Sequence, residues 1–265
     1  MICGSSCSHS VDGSIDYTQA DNEKPIWMNK RPKDGKNYRP TLIEDVANVL
    51  THGVFILPCI WMGLMLYNLS MSQSQSFTAI LYGGALVQLL TFSTIHHLMS
   101  LCGHSSTIFG KLAHVGDRVA IFIFIAASYT PWLLLRRYGD LDPKLVLWLI
   151  WAVVVIGLFI QVFYHDEYQN AEVMLYVAVG LGPSAVIVES ICFNGWHELA
   201  FGGAMYIFGV IFYKLDGILP FAHAVWHLFV ITGALTHYYA IYDNLYKNAS
   251  LCETTKPFFF HYFGF

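Results

Sequence analysis

Leu145-Val-Leu-Trp-Leu-Ile-Trp-Ala-Val-Val-Val-Ile-Gly-Leu-Phe-Ile-Gln-Val-Phe-Tyr164 is a run of twenty residues without a charged side chain. As a helix it extends about 30 Å, the thickness of a bilayer's hydrocarbon core. Six further stretches are predominantly apolar, at roughly 47–67, 77–99, 112–135, 172–190, 199–213 and 221–242. The stretch at 199–213 is short and carries Gly202, Gly203 and Gly209, which suits close approach between neighbouring helices. Most connections are under a dozen residues, so consecutive helices are expected to lie antiparallel. No internal repeat suggests a two-fold transporter architecture. The expected fold is all-α: a polytopic, seven-transmembrane-helix bundle over 41–243, between a polar tail at 1–40 and a C-terminal tail at 244–265.

Composition agrees with this reading. Of 265 residues, 55% are apolar and only 12% charged, about half the charge of an ordinary soluble domain. Thirteen of the 32 charged residues lie in 1–45, and only 15 lie between 46 and 242. A soluble protein of this size needs a charged exterior to cover its core. A net charge of −4 without a basic block argues against nucleic acid as a partner. The six cysteines (Cys3, Cys7, Cys59, Cys102, Cys192, Cys252) show neither metal-pair spacing nor a disulfide framework, and read as packing or free thiols. No secretory signal precedes the first span, which is expected to act as the insertion signal.

Lysine and arginine set the expected orientation. The N-terminal tail carries Lys24, Lys30, Arg31, Lys33, Lys36 and Arg39, and the same side receives Lys111, Lys214 and Arg118. The opposite side has Arg136, Arg137, Lys144, Lys247 and Lys256. This predicts a cytosolic N-terminus and a lumenal or extracellular C-terminus. Both N-glycosylation sequons, at Asn68 and Asn248, fall on the expected lumenal side. Asp117-Arg118-Val119 is not the Asp-Arg-Tyr motif of G-protein-coupled receptors, because it begins the third helix rather than ending it at the cytosol.

Ionisable residues inside spans are costly and mark functional sites. Glu44, Asn48 and His52, each four residues apart, share one face at the start of the first helix. Ser93 and His97 end the second helix, His114 and Asp117 begin the third, His165 ends the fourth, and His223 and His227 begin the seventh. On the expected topology all of them occupy the cytosolic half. Helical residues four apart place their Cβ atoms about 5–6 Å apart, a spacing at which His223 and His227 can bind one ion. With His97 at matching depth they make a three-histidine set, the number of protein ligands in a catalytic zinc site. Asp117 and Ser93 are the candidate catalytic groups, orienting water or accepting its proton. Glu44, Asn48 and His52 are the supporting cluster. His96 points about 100° from His97 and reads as interfacial. His114 and His165 read as polar boundary residues, and His104, His197 and His261 carry no assignment. A haem between His223 and His237 is rejected, since no histidine on another span matches the depth of His237.

These residues resemble the progestin and adipoQ receptor family and the bacterial hemolysin III proteins. Four stretches carry the likeness: Glu44-Asp-Val-Ala-Asn48-Val-Leu-Thr-His52-Gly, Ser93-Thr-Ile-His-His97, the segment from Asp117-Arg-Val to Ser-Tyr-Thr-Pro131, and His223-Ala-Val-Trp-His227-Leu-Phe-Val. Asp-Arg in place of the adiponectin receptors' Asp-Tyr, and three residues between Glu44 and Asn48, point to the hemolysin-like branch. Ile125-Ala-Ala-Ser-Tyr-Thr-Pro-Trp132 and Asp216-Gly-Ile-Leu-Pro-Phe-Ala-His223 look most like the monocyte-to-macrophage differentiation factor group. The resemblance implies zinc on His97, His223 and His227 near the cytosolic face, with Ser93 and Asp117 beside it. It implies a receptor or signalling role, and amide hydrolysis of a membrane lipid such as ceramide.

Three functions are weighed. The first is a zinc-dependent membrane lipid hydrolase. The second is a receptor or scaffold whose zinc is structural and which recruits cytosolic signalling proteins. The third, a transporter, is disfavoured because the polar groups gather at one end and leave the lumenal half apolar. Golgi, endosomal and plasma membranes all suit the expected topology.

Overall fold

The computed structural model describes residues 27–31, 38–138, 142–163, 169–188 and 195–248. Among these the chain forms nine α-helices, a closing π-helical turn and no β-strand. The helices are α1 (Leu42–Gly53), α2 (Ile56–Leu69), α3 (Gln73–Leu101), α4 (Ile108–Leu135), α5 (Pro143–Phe163), α6 (Gln169–Leu181), α7 (Ser184–Val188), α8 (Trp196–Lys214) and α9 (Ala222–Ile241), and the π turn covers Tyr242–Lys247. All seven expected segments are helical, the first as α1–α2 and the fifth as α6–α7. Segments 42–69, 73–101, 108–135 and 143–163 are each long and apolar enough to cross a membrane. Cys3, Cys7, Cys192, Cys252, His165, His261 and the Ala249-Ser250 half of the second sequon lie outside the described residues.

Helix ends follow capping chemistry rather than the edges of apolar runs. Ser72 accepts from the Gln75 N–H and Thr107 from the Gly110 N–H, so α3 and α4 each start about one turn before their apolar stretch. At α1, Thr41 and Glu44 form a reciprocal capping box. The first span breaks at 54–55. Pro58 has no N–H for the Val54 carbonyl and its ring crowds that residue, so the helix ends one turn upstream and restarts as α2. The bundle continues past its expected end at 243: Leu245 and Tyr246 are buried, Gln75 Nε2 donates to the Leu245 carbonyl at 2.9 Å, and the Thr78 hydroxyl meets Tyr246 Oη at 2.8 Å.

In a bilayer the lipid is as apolar as the side chains, so close packing and interhelical hydrogen bonds hold the helices together. A Cβ on Gly83 would lie 2.9 Å from Gly63 Cα, so α2 and α3 meet backbone to backbone. Gly202 and Gly209 seat α9 side chains: a Cβ on Gly202 would come within 2.1 Å of the His237 ring, and one on Gly209 within 2.6 Å of Trp226. Gly203, expected to serve the same packing, has nothing within 4 Å and borders the internal cavity. Tyr82 donates to the Ala234 carbonyl and Tyr238 to that of Met62. Tyr82, Leu86, Leu90, Phe124, Trp132 and Ile231 fill the interior, while Leu57, Trp61, Trp148, Val155 and Phe163 are mostly exposed, the inside-out surface of a chain solvated by lipid.

Candidate metal centre

α1, α3, α4 and α9 bring their polar ends to one side of the bundle. His97 from α3 and His223 and His227 from α9 each offer a ring nitrogen, all within 4.8 Å of one another. Their ring centroids are 4.7–5.1 Å apart and cross at 65–76°, so the imidazoles converge edge-on rather than stacking. His97 and His227 are buried and His223 is partly open. The donor set suits a borderline-soft divalent ion taking imidazole nitrogen. Among the described residues both nitrogens of His97 lack a hydrogen-bond partner, an expensive state for a buried imidazole without a ligand.

Asp117, about two and a half turns into α4, borders the same cavity as Ser93, His97, His223 and His227. The Ser93 hydroxyl is buried and has no hydrogen-bond partner among the described residues.

The supporting cluster divides. Glu44, Asn48 and His52 are all buried on the inner face of α1. His52 stacks flat on His227, centroids 3.8 Å apart at 19°, and is outside the converging set. Glu44 acts away from the histidines. Its carboxylate accepts from the Thr41 N–H at 2.8 Å, the Tyr38 hydroxyl at 2.7 Å and the Phe221 N–H at 3.3 Å. It thus ties α1 to the loop that leads into His223. Burial and the Glu44 carboxylate push the Tyr38 phenol above its ordinary pKa, which keeps it a donor. Tyr38 also packs against Gly217 (φ +72°), and Trp27 lies 6.2 Å from Phe221, a bulky residue at positive φ (59°). Strain of this kind persists only where surrounding contacts impose it. His96 stacks on His114 across α3 and α4, centroids 4.5 Å apart, so it faces a neighbouring helix rather than the bilayer.

Four residues at or near the site carry no role in the sequence reading. Asp45 Oδ1 lies 3.8 Å from His97 Nδ1, Asp216 Oδ2 3.3 Å from His223 Nδ1, and Thr51 Oγ1 2.9 Å from His227 Nδ1. Glu172 of α6 pairs with Arg118 at 3.1 Å, both buried, and Tyr176 donates to Glu172 and to the Arg118 carbonyl. Asp45 adjoins Glu44, and Asp216 opens a quoted motif, but helical spacing says nothing about a loop folding back on a histidine.

One cavity of about 1700 Å³ starts at these histidines and runs the length of the bundle. Its near end is bordered by Asp45, Ser93, Asp117 and Lys111, its far end by Ser128, Trp132, Tyr206 and His237. The sequence leads one to expect an apolar lumenal half, but the far half is not uniformly apolar. Hydroxyl, indole and imidazole groups from α4, α8 and α9 occupy it.

Residues 41–238, from the α1 cap almost to the end of α9, match the family described as Haemolysin-III related. The chain is 40% identical over 222 residues to the human (Homo sapiens) monocyte to macrophage differentiation factor, covering 84% of this chain and 93% of that one. It is 29% identical over 214 residues to hemolysin-3 of Bacillus cereus, covering 78% and 94%. It is 25% identical over 278 residues to the adiponectin receptor protein of Drosophila melanogaster, covering 88% and 61%. With a family match spanning every element of the histidine site and a 40% identical relative aligned over most of both chains, this all-helical membrane protein belongs to the haemolysin-III-related family.

Proposed function

We propose that this protein holds one zinc ion on His97, His223 and His227 and hydrolyses an amide bond of a membrane lipid of the ceramide type. The observation that carries the reading is three imidazole nitrogens within 4.8 Å at the wall of a lipid-sized cavity, with a carboxylate and a free hydroxyl beside them. Zinc would supply Lewis acidity, polarising a carbonyl and making water nucleophilic at neutral pH. The protein's own part is proton handling and orientation. Asp117 takes the proton of the attacking water as it adds to the carbonyl carbon, and returns it to the amine as the C–N bond breaks. Ser93, with a hydroxyl not committed elsewhere, donates to the carbonyl oxygen as negative charge develops. Beyond the histidines the cavity takes an acyl chain.

The tail lysines and arginines support a cytosolic N-terminus and a lumenal or extracellular C-terminus, with the site opening towards the cytosol. Zinc per chain, measured by elemental analysis of detergent-purified protein, should be about one in wild type and near zero in His223→Ala/His227→Ala. With zinc bound, ceramide turnover should disappear in Asp117→Asn while the metal stays. Wild-type protein that folds without zinc, or keeps zinc yet cleaves nothing in a broad lipid panel, would refute the hydrolase.

A second reading makes the zinc structural in a receptor or signalling scaffold, with residues 1–40 as the docking segment for cytosolic proteins. It is favoured by the clamp of Trp27, Tyr38 and Glu44 on the α8–α9 loop, which couples the N-terminal side to the site. Signalling output that survives Asp117→Asn but not His227→Ala selects it.

A further inference from the structure

We propose that Asp45, Thr51 and Asp216 are positioning residues that fix all three ligand histidines in the Nδ1–H tautomer, so that each presents Nε2 to the metal. The inference rests on the zinc reading above and adds to it the atoms that ligate and the groups that hold them.

Thr51 gives the firmest argument. Its single hydroxyl proton is donated to the Asn48 carbonyl at 3.0 Å. With its proton on that carbonyl, the same oxygen turns a lone pair towards His227 Nδ1 at 2.9 Å, a pairing that the Nδ1–H tautomer completes. A neutral imidazole protonated at Nδ1 has a bare Nε2. At His223 the facing group is the Asp216 carboxylate, 3.3 Å from Nδ1, and a carboxylate is acceptor-only. At His97 it is Asp45 Oδ1, 3.8 Å from Nδ1. The other Asp45 oxygen accepts from the Ser100 hydroxyl at 2.8 Å, which fixes the carboxylate with Oδ1 towards the ring. Three histidines from two helices thus each turn Nδ1 towards an oxygen, hydrogen-bonded at His227 and at ion-pair distance at His223 and His97, and those oxygens come from α1 and the α8–α9 loop.

Charge points the same way. A dication on three neutral imidazoles keeps its full charge, which a membrane-embedded bundle penalises heavily. Asp45 and Asp216 bring two negative charges within one imidazole of it, and a carboxylate behind a ligating histidine also raises the ring's basicity. The Tyr38, Glu44 and Phe221 contacts hold the loop that carries Asp216, giving that clamp a part in metal binding.

The test uses full-length protein in nanodiscs. Zinc affinity is measured by competition with a fluorescent chelator, and the cobalt-substituted protein is examined by paramagnetic proton NMR. Wild type should show three sharp, far-shifted imidazole signals, all of them solvent-exchangeable Nδ1–H, whereas a ring ligated through Nδ1 would add a sharp, non-exchangeable Cδ2–H signal. Asp216→Asn, Asp45→Asn and Thr51→Val should each weaken zinc binding about 10–100-fold. Thr51→Val should also remove or broaden one of those signals, and Thr51→Ser should restore it. A sharp, non-exchangeable Cδ2–H signal from any ligand ring in metal-loaded wild type, or unchanged affinity in all three variants, overturns the assignment while leaving the zinc site standing. Wild type that takes up neither metal overturns both.

Discussion

Glu172→Gln probes a buried ion pair between α4 and α6. The Arg118 guanidinium lies 3.1 Å from the Glu172 carboxylate, and the two side chains are only 10% and 7% exposed. At an effective dielectric constant of 20, unit charges at this distance attract by roughly 5 kcal/mol. Neutralising Glu172 forfeits that attraction and removes the charge 3.1 Å from Arg118, a change that costs about 3–5 kcal/mol at buried sites. Asp117 stays close to Arg118 and softens the loss, so the expectation is the lower end, about 3 kcal/mol. For a chain of this size the melting temperature should fall by about 6–12 °C. The assay is thermal unfolding in nanodiscs followed by circular dichroism, with Arg118→Met and the double variant Arg118→Met/Glu172→Met alongside. Removing both charges abolishes the desolvation penalty with the attraction, so the double variant should be clearly more stable than the sum of the two singles. Single variants that shift melting by under about 2 °C, or a double variant equal to the sum, would show that α4 and α6 are not held by this pair.

Other substitutions discriminate between parts of the architecture. Gly202→Ala forces a methyl to within 2.1 Å of the His237 ring and should destabilise by about 1–3 kcal/mol, whereas Gly203→Ala one residue on meets nothing and should be neutral or slightly stabilising in the same melt. Tyr38→Phe removes a 2.7 Å hydrogen bond to the Glu44 carboxylate and should cost about 1.5 kcal/mol, read as a lower melting temperature that recovers in no salt condition. Ser93→Ala deletes a hydroxyl without a hydrogen-bond partner among the described residues, so it should leave stability and zinc content unchanged while lowering turnover about 10²–10³-fold. Equal loss of zinc and turnover would assign Ser93 to metal binding instead.

Several features of this chain are written locally and can be read without a structure. Seven apolar runs separated by short polar connections can only be helices in a bilayer, because no other open element satisfies its own backbone there. The His223–His227 pair follows from helix periodicity, and the depth of His97 follows from counting residues along antiparallel spans. Residue counting, however, fixes height along a helix and leaves its rotation and its neighbours open. Tertiary structure alone shows His52 stacked on His227 rather than joining the converging nitrogens, and Glu44 clamping a loop rather than facing the histidines. It also brings Glu172 to Arg118 across 54 positions and Thr51 to His227 across 176. Even the break in the first span needed its partner: Pro58 dictates that the helix is interrupted, but what the interruption brings to the site depends on α3 and α9 packing against α1. The sequence by itself determined the class of fold and the side chains able to hold a metal. Which acceptor stands behind each histidine was decided by lateral packing and by one loop folding back, contacts between distant residues that no local periodicity encodes.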